Sequence, residues 1–234
     1  LIDNEIIDLG FWPGGDRDGD PFVTTKITLD VAERLRQTLL SNYYRDIRRL
    51  KRRFTFDGVQ EILARIEKRL YKHVIRSYAK VNFSQKILLE ELYAARDIIV
   101  NEHQSLFVEE LNDFINKVRI FGFHFATLDI RQDSRVHHSA FTQIVKDLHK
   151  IGDTTFPKNY LNLSEEEQIK ILSGVKGNID PSILTDEVSV KTIESMFALK
   201  EIQQRNGERG ANRYIISNNQ TALNVMEAFA MLNL

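Results

Sequence analysis

The sequence predicts a mainly α chain carrying two short parallel strands. Apolar residues recur every three or four places over most of its length, the period of helices with one buried face. Two short runs, "FHFATLDI" and "RYIISN", replace that period with aromatic and β-branched residues, as buried strands do. Each run leads directly into a helical pattern. That β-to-α order is the unit of a parallel sheet or of a β/α barrel, although two strands close neither.

The first predicted helix covers 28–54, with Val31, Leu35, Leu39, Tyr43, Ile47, Leu50 and Phe54 on one face. Thr28, or Asp30 two residues on, is placed to cap its start. After a break at "TFDG", a second helix covers 58–79 with Ile62, Ile66, Leu70 and Val74 in one stripe. Ser84 caps a third, carrying Ile87, Leu88, Leu92, Ala95 and Ile99, and a fourth covers 105–118. The first strand is expected over 123–130. A helix over 134–151 then turns Phe141, Ile144, Val145 and Leu148 inward. Past the irregular "GDTTFPKNYLN", Ser164 and Glu167 have the spacing of a capping box. Residues 190–205 read as a helix ended by Gly207. "RYIISN" is the second strand, and "QTALNVMEAFAMLNL" the last helix.

The 234 residues are 42% hydrophobic and 28% charged, a balance that suits one or two packed domains. A net charge of -1 supplies no field toward nucleic acid or an acidic membrane. The absence of cysteine excludes disulfides and thiolate metal sites. No apolar run approaches the roughly 20 residues of a membrane span. There is no Ser-His-Asp order, no HExxH and no P-loop. The chain opens on Leu1 and stops within the apolar pattern of "MEAFAMLNL", so the expectation is an internal piece of a longer protein.

Three stretches could carry chemistry. In "FWPGGDRDGDPFVT", Gly14 and Gly15 let the backbone approach a ligand, and Asp16 and Asp18 could brace the Arg17 guanidinium. The alternative is an exposed turn whose charges stay wet. In "LDIRQDS", a strand's carboxyl end meets a helix, where β/α folds place ligand-binding groups. There Asp129 and Arg131 share a face, and a planar guanidinium suits bidentate capture of phosphate or carboxylate. The alternative is a salt-bridged strand end. "RDIRRLKRR" holds six basic residues against one acidic, without interleaved aromatics, and reads as a solvated helix face or one that docks on an absent part of the chain. His137 and His138 point about 100° apart on a helix and do not grip one metal together. His124 reads as a core histidine.

"GGDRDGDPFVT", then "FGFHFATLDIRQDSRVHH", then "LSEEEQIKIL", then "RYIISNNQTALNVMEAF" resembles phosphoenolpyruvate carboxylase, in the family's block order and from end to end of the chain. The resemblance implies an α-rich β/α barrel, with both strands in the barrel. It divides the chain into a glycine-rich charged loop over 1–25, a helical insertion over 26–120, and two β-α units with an intervening helical excursion over 121–234. It implies addition of bicarbonate to phosphoenolpyruvate, giving oxaloacetate and phosphate with Mg²⁺ or Mn²⁺, in a cytoplasmic homotetramer without nucleic-acid or membrane partners. Three anions must be brought together, which calls for fixed cations. The resemblance maps the substrate anion site onto Arg131, with Arg17 as a second contact or brace, Asp16 and Asp18 orienting it, and Gln132 hydrogen bonding nearby.

Asp20 and Phe22 stand where the family usually has asparagines, and "SNNQTALNVMEAF" is looser than the family's serine-methionine start to that block. The family's catalytic histidine belongs upstream of this stretch. Its metal-binding carboxylates and a glycine-rich loop with histidine and arginine belong beyond Leu234. The expectation is therefore part of an active site, inactive alone. Two other readings stay open: a helical interaction module without catalysis, which separates Arg17 from Arg131 in space, and another β/α-barrel enzyme acting on phosphorylated acids.

Overall fold

A computed structural model describes residues 8–18, 20, 22–75 and 83–234. In chain order the elements are β1 (Gly10–Phe11), α1 (Thr25–Arg53), α2 (Val59–Ile75), α3 (Gln85–Glu102), α4 (Val108–Phe121), β2 (Thr127–Leu128), β3 (Ile130–Asp133), α5 (Ser134–Lys150), α6 (Glu165–Leu172), α7 (Glu187–Asn206), β4 (Tyr214–Ser217) and α8 (Ala222–Asn233). The chain is mainly α, as the helical period predicts. The strands form two parallel pairs, β1 with β2 and β3 with β4. Residues fall into two compact units, one of 1–11, 30–128 and 202–212, the other of 12–29, 129–201 and 213–234.

The first unit is helical apart from the short β1–β2 pair. Its core takes Tyr43, Ile47 and Phe54 from α1, Leu63, Ile66 and Leu70 from α2, Leu88, Leu92 and Ile99 from α3, and Leu111, Ile115 and Val118 from α4. The α1 stripe departs from the expected one at its start. Val31 and Leu35 are half-buried, while Ala32 and Arg36 take the buried places. Arg36 is tolerated there because Nε donates to the Arg205 carbonyl at 3.2 Å and Nη2 meets His73 Nδ1 at 3.1 Å. The predicted end of the second helix, at 79, lies outside the described residues. Ser84 caps α3 as expected, accepting from the Ile87 N–H.

The expected strand over 123–130 is present in its second half, as β2 and the start of β3, and misreads burial as extension in its first. Gly122 leaves α4 at φ 51°, and Phe125 sits at φ 69°. The Phe125 N–H bonds back to the Phe121 carbonyl at 2.8 Å, which makes a turn. Phe123 and His124 are buried because that turn pushes them inward, so regular pairing starts only at Thr127. The fourth helix likewise begins three residues late. Gln104, Ser105 and Phe107 all have left-handed backbones, which no α-helix admits.

The second unit contains the β3–β4 pair, in register Ile130↔Tyr214 through Asp133↔Ser217. Its core joins Phe141, Ile144, Val145 and Leu148 of α5 to Phe156, Tyr160, Leu172, Ile193, Ala230 and Met231. The capping box is present: Ser164 accepts from the Glu167 N–H, and the Glu167 carboxylate accepts from the Ser164 N–H at 3.0 Å. Helix α1 begins at Thr25, earlier than predicted. Thr24 Oγ1 accepts from the Ile27 N–H at 3.3 Å, so the cap is Thr24, and neither Thr28 nor Asp30. Helix α7 starts at Glu187 and closes at Gly207, whose N–H donates to the Gln203 carbonyl at 3.0 Å.

Candidate functional site

The opening loop is built by its own turn. Trp12, Pro13, Gly14 and Gly15 form a type II turn: proline presets the second position, Gly14 takes φ 83° at the third, and the Gly15 N–H returns to the Trp12 carbonyl at 2.9 Å. Thr28 Oγ1 ties the turn down by donating to the Gly14 carbonyl at 2.6 Å. The chain then runs alongside β3. The Arg131 N–H donates to the Gly15 carbonyl at 3.0 Å, and the Arg17 N–H donates to the Arg131 carbonyl at 2.9 Å. Asp16 and Arg131 are parallel bridge partners. The stretch beside β3 thus acts as a third strand, opposite β4.

Pleating decides which side chains meet. Bridge partners project to one face, and the next residue projects to the other. Asp18, two residues beyond Asp16, accepts from Arg131 Nη2 at 2.7 Å, and Asp16 Oδ1 lies 3.6 Å from Arg131 Nε. The guanidinium carbon of Arg131 lies 5.6 Å from the centre of the Trp12 ring. Arg17 goes the other way, its Nη1 donating to the Lys191 carbonyl of α7 at 3.3 Å. The sequence suggests Asp16 and Asp18 bracing Arg17; the structure gives both carboxylates to Arg131. The two arginines share a backbone ladder, while their guanidinium groups diverge.

Electrostatics follow the same division. The hydrogen bond from Arg131 holds the Asp18 carboxyl below its ordinary range, and Asp18 in turn raises the Arg131 guanidinium. Burial lowers Arg17, opposed by the nearby Tyr214 and Glu194. Among the described residues, Arg131 Nε is buried without a hydrogen-bond partner, and the side-chain hydrogen bond the guanidinium makes is that of Nη2 to Asp18, which leaves Nη1 over. An arginine held by two carboxylates with one amino edge left over is restrained and still able to donate to an anion.

The strand end holds a second cluster, which the sequence reading did not single out. Asp133 caps α5 by accepting from the Arg135 N–H at 2.7 Å, and it also accepts from Arg135 Nη2 at 2.5 Å and Asn218 Nδ2 at 2.7 Å. Those bonds, Arg135's first, hold its carboxyl far below the usual range. Ser134 Oγ donates to the Asn218 carbonyl at 2.7 Å, and Asn218 has φ 51°. The available sequence signal was Asp-Ser just before a helical period, an N-cap pattern. The Asn218 partnership needed the fold.

Gln132 folds onto its own backbone, its Oε1 accepting from the Asp133 N–H at 2.9 Å. Asp129 meets Arg213 at 2.7 Å. The adjacent histidines diverge: His137 Nε2 lies 2.7 Å from the Tyr214 hydroxyl, and His138 Nδ1 lies 2.8 Å from Glu227. The basic face of α1 is laced by ion pairs, Arg48 to Glu67 at 3.5 Å and Arg53 to Glu110 at 3.1 Å. Among the described residues no three His, Asp or Glu side chains converge as a metal site.

Comparison with known proteins joins this geometry to a family. A family model described as phosphoenolpyruvate carboxylase matches residues 1–82 and 60–233. A phosphoenolpyruvate carboxylase of Nitrosomonas eutropha is 27% identical, covering 96% of this chain and 28% of that protein. One of Aeromonas hydrophila is 29% identical over 88% of this chain and 26% of that protein. One of Vibrio vulnificus is 26% identical over 99% of this chain and 29% of that protein. The chain thus spans between a quarter and a third of the length of these relatives. With the family's match running nearly end to end, the chain belongs to the phosphoenolpyruvate carboxylase family.

Proposed function

We propose that this chain is part of an enzyme that carboxylates phosphoenolpyruvate with bicarbonate, releasing oxaloacetate and phosphate, and that Arg131 is its substrate-anion contact. The observation that supports this reading is the Arg131 guanidinium held by Asp18 and Asp16 within β3, two residues before the strand gives way to α5, in a chain of this family. In the proposed reaction a bicarbonate oxygen attacks phosphorus, and the bridging enol oxygen leaves with its electron pair. Carboxyphosphate then yields CO₂ and phosphate, and the enolate carbon takes up the CO₂. Charge gathers on the phosphoryl oxygens and the enolate, where a fixed guanidinium lowers the barrier more than a mobile one.

Arg17 enters this proposal as a brace: its N–H holds the Arg131 carbonyl, and its guanidinium is committed toward α7. Asp16 and Asp18 orient Arg131, and Gln132 stays a neighbouring hydrogen-bond candidate. The interaction-module reading expects Arg17 and Arg131 far apart. Their backbones share a ladder, but their guanidinium groups point to opposite faces, which counts against one anion site shared by both and leaves Arg131 alone as the proposed contact. The carboxylates near Arg131 are engaged by Arg131, Arg135 and Asn218, which leaves them poorly suited to Mg²⁺ or Mn²⁺. We place the family's divalent ion on residues outside this chain. A homotetramer in the cytoplasm completes the proposal; no helix among the described residues is long and apolar enough to cross a membrane.

Two measurements test it. In the full-length enzyme, Arg131→Lys keeps the charge and loses the fork. A charge-assisted hydrogen bond is worth roughly 1.5–3 kcal/mol, so turnover should fall about tenfold to a hundredfold. Arg49→Lys, on the exposed face of α1, should leave it unchanged. Full activity with unaltered substrate affinity in Arg131→Lys would reduce Arg131 to a strand-end residue. The 234-residue chain alone should give no oxaloacetate from phosphoenolpyruvate, bicarbonate and Mg²⁺. Turnover there would show that the placement of the remaining catalytic groups is wrong.

A further inference from the structure

The clamp on Arg131 has a third member, which lies outside the charged motif. Asp18 accepts from the guanidinium's Nη2 at 2.7 Å, and Asp16 pairs with it as a charge only, 3.6 Å from Nε, which has no hydrogen-bond partner among the described residues. Edge contacts alone leave the group free to tilt about the line joining them. The Trp12 ring, 5.6 Å from the guanidinium carbon, addresses that remaining freedom. An aromatic ring at this distance attracts a cation through its quadrupole and shields it from water on that side.

The ring's own position is set by the backbone. Trp12 is the first residue of the type II turn, and its carbonyl accepts from the Gly15 N–H at 2.9 Å and the Asp16 N–H at 3.3 Å. The same peptide segment therefore carries the ring, the turn and both carboxylates. Trp12 is 52% exposed, so the packing of its ring against the guanidinium is a contact at the surface and is not imposed by core packing. We infer that Trp12 is a positioning residue: it fixes the plane of the Arg131 guanidinium, so that the unengaged Nη1 edge points to one place. The inference rests on the reading of Arg131 as an anion contact for its functional meaning, although the positioning itself is a property of the unliganded chain.

Trp12 is the one tryptophan of the sequence, so intrinsic fluorescence reports on it alone. The positioning is tested first without ligand, by proton NMR of the Arg131 Nε–H, assigned by its disappearance in Arg131→Lys. The ring current should displace that resonance from the random-coil arginine position. Trp12→Leu should return it there, and Trp12→Tyr should keep most of the displacement. An Arg131 resonance unaffected by Trp12→Leu, in a chain whose other amide resonances are unchanged, would overturn the inference.

The second arm uses phosphoenolpyruvate as the probe, read by phosphorus NMR line broadening and by Trp12 fluorescence. Broadening that vanishes in Arg131→Lys and falls at least threefold in Trp12→Leu, with a saturable fluorescence change in the unsubstituted chain, supports both the inference and the reading beneath it. Broadening lost in Arg131→Lys and intact in Trp12→Leu overturns the role of Trp12 and leaves Arg131 standing. Broadening equal in the unsubstituted chain and in Arg131→Lys overturns the anion-contact reading, whatever the ring does.

Discussion

In the helical unit, Ile66, Leu92 and Ile115 are wholly buried, and the charges between helices sit at the rim, as in Arg53 with Glu110 or Lys117 with Asp46. In the sheet-bearing unit the carboxylates themselves go inside. Asp133, Asp147 and Glu227 are all buried, and Asp147 is held by the Thr185 N–H at 2.9 Å and by Lys150 at 2.8 Å. Rim ion pairs contribute little, because water competes for each charge. Buried ones are conditional, because an unpaired buried charge is strongly destabilising. The first unit is therefore held by shape and area, the second partly by the fixed geometry of polar groups. Fixed geometry is what an anion contact requires.

The largest expected effect is in the helical core. Leu92→Ala should cost about 2–5 kcal/mol in urea unfolding, through lost transfer energy and a cavity. Hydrogen exchange should show the loss in α2, α3 and α4 while β3 keeps its protection. Equal loss in β3 would show that the two units do not open separately, and would remove the energetic side of the contrast.

Acid tests the contrast next, because His124, like His73, is a buried titratable group in the helical unit. Burial first, and then the Arg209 charge, push its imidazole down to about 4, against a smaller opposing pull from Asp8. The folded chain thus binds the proton less readily than the unfolded chain, whose histidine titrates near 6.5. Stability from this group is present above about pH 6.5 and is lost as pH falls toward 4, by roughly 2–3 kcal/mol. Between pH 7 and 4.5 the urea midpoint should fall less in His124→Leu than in the unsubstituted chain. Equal falls would assign the acid sensitivity to other groups, of which buried His73 and His137 are also lowered.

The smallest effect concerns the capping box in the sheet-bearing unit. Ser164→Ala removes one partner of the Glu167 N–H, at a cost of about 0.5–2 kcal/mol. The site at Arg131 should be unaffected, which Trp12 fluorescence would check. A shifted emission would mean that α6 and the clamp are coupled through the second unit's core.

Periodicity alone determined the helices and most of their inward faces, since a 3.6-residue repeat of apolar side chains has few other ways to hide from water. It also determined the capping box, because both partners lie three residues apart. Arg131 was legible as a candidate because its residue type and its place after an apolar strand agreed. Pattern failed where residues were buried without being extended: Phe123 and His124 are inside a turn, and only the packing around Gly122 shows it. Pattern also failed over which arginine Asp16 and Asp18 serve. Neighbours in sequence suggested Arg17, yet pleating points Arg17 away and delivers the carboxylates to a guanidinium more than a hundred residues later. Which side chains share a face across strands depends on register, and register is a property of the assembled sheet.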